Sequence, residues 1–72
     1  MNKVTRIAND SIKQASTMFA DMASKLPTGD YEMYLLGYVY GSVQKELGIR
    51  GKLDEDTVSE IRKVFFENGM EV

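Results

Sequence analysis

Seventy-two residues with a formal net charge of −2, from nine basic and eleven acidic side chains, leave room for one hydrophobic core and create too weak a field to recruit nucleic acid. Cysteine and histidine are both absent, which removes disulfides, thiolate zinc sites, the commonest transition-metal ligand and the commonest general base. With 43% apolar and 28% charged residues the chain has enough apolar material to fold, but at this length its stability must rest on tight packing or self-association.

The first predicted element is a helix over about 4–26. Val4, Ile7, Ala8, Ile12, Ala15, Met18, Phe19, Met22, Ala23 and Leu26 recur in steps of three and four and form one stripe. Arg6, Asn9, Asp10, Lys13, Thr17, Asp21 and Ser24 take the opposite side. Pro27 stops the helix, because its ring disfavours helical geometry at Leu26 and it has no amide proton. Nothing in Met1–Asp10 resembles a secretion signal, since Lys3 and Arg6 are not followed by a continuous apolar run.

The second predicted helix covers about 30–47, with Thr28 and Asp30 competing to cap it and Gly48 placed to end it in left-handed geometry. Two apolar faces fall on this one helix. Met33, Leu36, Val39, Tyr40, Val43 and Leu47 line the first. Tyr31, Tyr34 and Tyr38 line the second, beside Gly37 and Gly41 and with Lys45 toward the end. A helix apolar all round is normally buried on all sides, and a three-helix domain cannot surround one of its own helices. Two glycines inside a helix each cost ~1 kcal/mol relative to alanine, and the close approach of another backbone is the physical reason available. The alternative is that tyrosines and glycines simply pack on the other two helices. The stretch Met33–Val43 is too short, and interrupted by glycine, to span a membrane. The expected location is the cytoplasm.

The third predicted helix, about 54–68, has Asp54 as N-cap, Glu55 and Asp56 in its first turn and Asn68-Gly69 at its end. Leu53 and Val58 have the spacing of a hydrophobic staple, and Val58, Ile61, Val64 and Phe65 face inward. Phe66 falls off that stripe, next to Arg62. The connection Gly48-Ile49-Arg50-Gly51-Lys52 is short and basic.

These elements make an all-α, single helical domain over 1–72: a small three-helix bundle, or a helical hairpin plus a third helix, completed by dimerisation. Catalysis is not expected. The acids around Asp54 are explained by capping and the helix dipole, Asp10-Ser11-Ile12 sits mid-helix rather than at a carrier-protein attachment site, and Gly48-x-x-Gly51 lacks the rest of a phosphate loop. No cofactor or metal is implied. The expected function is non-catalytic protein binding by a small regulator or inhibitor, a type shared by many small proteins of phages and mobile elements. Its partners would be a second copy of itself and a protein target not named by the sequence. Tyr31, Tyr34, Gly37, Tyr38, Gly41 and Lys45 are the expected interface, with Arg50, Lys52 and Phe66 as a second contact. The rival reading is a dimeric nucleic-acid-associated regulator using Arg50, Lys52 and the basic residues of the first helix, weakened by the acids that open the third helix.

Overall fold

The computed structural model describes residues 2–72 and contains four α-helices and no strand among them: α1 (Lys3–Met18), α2 (Ala20–Lys25), α3 (Thr28–Leu47) and α4 (Glu55–Glu67). It is an all-α small helical bundle, 32 × 20 × 20 Å in extent.

The first departure from the sequence pattern is at Phe19. One helix over 4–26 is expected, but the chain breaks there into α1 and α2, with Phe19 at φ −110° and ψ 25°. The Thr17 hydroxyl donates to the carbonyl of Lys13 one turn earlier at 3.2 Å, a back-bond that competes with the helical ladder and bends helices. The bend sets the Phe19 ring edge-on against two rings of α3, Tyr34 at 5.1 Å and Tyr38 at 5.6 Å between centroids. Apart from Phe19 itself, the stripe no longer points at the core from Met18 onward. Ile7, Ala8, Ile12 and Ala15 are buried, whereas α2 buries no residue and Met18 is 60% exposed.

Helix ends follow local chemistry more closely. Asn2 caps α1 by accepting from the Thr5 amide at 2.8 Å, and Asp54 caps α4 by accepting from the Thr57 amide at 2.7 Å. The start of α3 differs from expectation. Neither Thr28 nor Asp30 acts as a cap; Pro27 occupies the N-cap position with no side-chain hydrogen bond, and the helix begins at Thr28. The extended backbone of Leu26 before proline leads directly into the new helix and leaves Asp30 in its first turn, where its charge still meets the positive helix end. At the other ends, Gly48 and Gly69 adopt left-handed geometry, at φ 67° and 81°. Ile49 N–H donates to the Gln44 carbonyl and Met70 N–H to that of Phe65, both at 2.9 Å, so α3 and α4 close in the same Schellman arrangement.

Leu35, Leu36, Val39 and Val43 of α3, the α1 residues above, and Ile61, Val64 and Phe65 of α4 form one core, with Leu53 buried beside it ahead of α4 and Val58 packed on it. Phe19, just past the end of α1, lies on Tyr34 and Tyr38 in the first part of α3, whereas the groove that holds Arg6 near the start of α1 extends to Lys45 and Glu46 near the end of α3, so these helices run antiparallel. Thr5 Oγ1 donates to Glu60 at 2.9 Å and Asn68 Nδ2 to Asn9 Oδ1 at 3.3 Å, so α1 and α4 run parallel. The topology is up-down-up, with α1 packed on both of the other long helices. Gln44 Nε2 donates to the Gly51 carbonyl and pins the α3–α4 connection.

Two predictions concern this fold. Phe65→Ala should cost ~3–5 kcal/mol, against a total of ~4–11 kcal/mol for a chain of this length, so the midpoint of urea denaturation should fall by at least about a quarter. A second concerns acid. Hydrogen bonds from the Thr57 side chain and backbone hold the Asp54 carboxyl below its ordinary pKa, and hydrogen bonding to Asn2 and then Thr5 does the same for Glu60. Groups depressed in the folded state contribute stability that is present above their unfolded pKa and lost as pH falls through the folded one. The melting temperature should therefore drop as the pH falls below about 4, and it should drop less steeply in Asp54→Asn and Glu60→Gln, each of which melts lower than the parent at neutral pH.

Candidate protein-interaction surface on α3

On a helix turning about 100° per residue, the four buried residues of α3 fill one arc. Leu35, which the two-face reading leaves unplaced, lies inside it. Met33, which that reading assigns to the core, lies about 100° from the arc's centre, too far round to be covered, and is 57% exposed. Tyr40 and Leu47 are half-buried against the core, as befits the arc's edge.

The tyrosines divide. Tyr31 and Tyr38 are half-buried and pack on the chain's own core, whereas Tyr34 is 47% exposed although Phe19 meets one side of its ring. Gly37, Gly41 and Lys45 are exposed. The side of α3 farthest from the core thus carries Asp30, Met33, Tyr34, Gly37, Gly41 and Lys45, and Met33, Tyr34, Gly37 and Tyr38 line a shallow apolar depression on it.

The glycines decide what this surface can do. A Cβ built on either Gly37 or Gly41 meets no atom within 4 Å, and neither glycine has a positive φ. Neither close packing within the chain nor backbone conformation therefore calls for glycine. What remains on the outside is a strip on which another backbone can approach α3 directly, flanked by a flexible thioether and a phenol.

Arg6, Asp10, Ser11 and Gln14 of α1 and Tyr38, Ser42, Lys45 and Glu46 of α3 line a polar groove beside this strip. Arg6 and Asp10 face each other there at 3.9 Å, both well exposed, a contact of little energetic weight. Ser11, the buried polar residue of the core region, borders the groove. Among the described residues no three acidic side chains converge as a metal site, and no helix is long and apolar enough to cross a membrane.

The second set of expected contact residues is scattered. Phe66, on α4, is 73% exposed and is the most open large apolar side chain described. Arg50 and Lys52 are exposed on the α3–α4 connection, immediately before exposed Asp54, Glu55 and Asp56. Two basic residues are thus followed by three acidic ones at that end of the bundle, so the structure assembles no basic surface there.

No family model, no curated protein and no solved structure matches the chain.

If the glycines serve no purpose within the folded chain, Gly37→Ala and Gly41→Ala should each stabilise the monomer by ~1 kcal/mol, through helix propensity and a less flexible unfolded chain. Urea unfolding at a protein concentration low enough to keep the chain monomeric measures this. A loss of stability in either variant would show that the glycine has a packing role inside the bundle.

Proposed function

We propose that the chain is a non-catalytic protein–protein interaction module, a small regulator or inhibitor of the kind phages and mobile elements encode, which acts in the cytoplasm through the outer side of α3. The observation that carries this reading is the open space over Gly37 and Gly41 between exposed Met33 and Tyr34. Large apolar and aromatic side chains beside a strip with no side chains form a surface suited to another helix or extended segment. Catalysis has no supporting constellation: without histidine or cysteine, a nucleophile here would lack the usual activating base. The nucleic-acid reading through Arg50 and Lys52 is weakened by the acids that immediately follow them.

The test uses the parent and the variants Gly41→Leu and Tyr34→Ala as paired baits in extracts of the source organism, with sedimentation of each pure protein alongside. The parent is expected to retain a protein, its own copy or another, that both variants lose. Their far-UV circular dichroism should stay unchanged, because both positions lie outside the core. Identical bound proteins and identical sedimentation for all three would overturn the proposal.

A further inference from the structure

We infer that the occupant of the outer side of α3 is a second copy of the chain, its α3 running antiparallel about a two-fold axis that passes between Gly37 and Tyr38. The inference rests on the interaction reading above and specifies the partner. A two-fold axis makes every contact occur twice, so a register that pairs opposite charges does so at both ends of the seam. This axis sets Asp30 opposite Lys45 of the partner subunit and Tyr34 opposite the partner's Gly41. The exposed phenol thus enters the space over a glycine, and the acid at one end of the strip meets the base at the other.

Neighbouring arrangements do worse. A shift that places Tyr34 over the partner's Gly37 leaves Lys45 beyond the facing helix and Asp30 against glycine. A shift that stacks Gly37 on the partner's Gly41 sets Lys45 against Met33 and carries Asp30 past the helix end. Parallel pairing in register puts Asp30 on Asp30 and Lys45 on Lys45, like against like. Within the chain neither residue is engaged: among the described residues the ion pair formed is Arg6–Asp10. The helix dipole accounts for an acid in the first turn and a base in the last one of α3. It does not account for both lying on the strip that carries the glycines.

The seam is small. A 20-residue helix is ~30 Å long and, with its side chains, ~11 Å across, so one side of it buries ~330 Å² per copy, well below the ~800 Å² of a standard stable interface. Association should therefore be weak and concentration-dependent, with a dissociation constant between about 10 μM and about 1 mM.

Sedimentation equilibrium of the full chain from about 10 μM to about 1 mM tests this, on the parent, Asp30→Lys, Lys45→Asp and the double variant. Each single reversal turns two attractions into two repulsions and should weaken dimerisation about tenfold, while the double reversal restores it to within about threefold. A dipole effect alone would add in the double variant and could not restore anything. Should a reversal unfold the chain by circular dichroism, Asp30→Asn and Lys45→Gln serve instead; each should weaken association a few-fold, with the double variant no worse than either single. A parent that stays monomeric throughout overturns the inference, yet leaves the interaction reading standing if the bait still retains a different protein. A dimer indifferent to both reversals, or a double variant weaker than either single, overturns the register.

Discussion

Everything else in this molecule depends on the seating of one ridge of α3, Leu35, Leu36, Val39 and Val43, against α1 and α4. These side chains are buried to within about 2%, and burying a residue of this kind contributes on the order of 1.5–3 kcal/mol relative to exposure. The ridge commits one side of α3 to the interior and turns the other outward. Among the described residues, the two further long helices and the short α2 leave that side uncovered. The exposed side follows from the number of helices, and its composition is what needs explaining.

Much of this can be read from the sequence, because the signals are local. The capping of α4 by Asp54, its end at Gly69 and the end of α3 at Gly48 depend on hydrogen bonds a few residues apart, and composition reveals them directly. Asn2 as the cap of α1 is a signal of the same kind, an asparagine three residues before Thr5, that is easily passed over beside the stronger apolar pattern. The failures are tertiary. An apolar stripe that continues unbroken through Met18, Met22 and Leu26 gives no warning that the axis bends at Phe19. The bend depends on a back-bond from Thr17 and on two aromatic rings more than a dozen residues away.

The faces of α3 are half legible in the sequence for a related reason. Periodicity finds the centre of a buried arc better than its edges, because where the arc stops is decided by the neighbouring helices. Met33 and Leu35 are both apolar and lie on opposite flanks of the arc. Only the position of α1 and α4 makes Leu35 core and Met33 surface. The tyrosine row was likewise divided by its neighbours. Phe19 draws Tyr38 into the aromatic cluster, and Tyr34 belongs to the same cluster while keeping half its surface outward. Gly37 and Gly41 stand out from the sequence alone, because the cost of glycine in a helix interior is intrinsic to the backbone.

That cost bears on function. Helix surfaces that meet only water are best filled by alanine, glutamate, lysine or arginine, which favour the helix and the solvent together. The outer side of α3 instead combines two of the poorest choices for propensity with two apolar side chains that water does not favour. In a domain with ~4–11 kcal/mol of stability, two such glycines remove a substantial fraction of what a simple substitution would restore. No positive φ, buried neighbour or sharp turn offsets this loss within the monomer. Tyr34 is also held by Phe19 before any partner arrives, which lowers the entropic cost of using its ring in a contact. A surface that lowers the stability of the isolated chain while holding an aromatic side chain in place, beside a strip another backbone can reach, has the features that the proposed contact outside the chain would require.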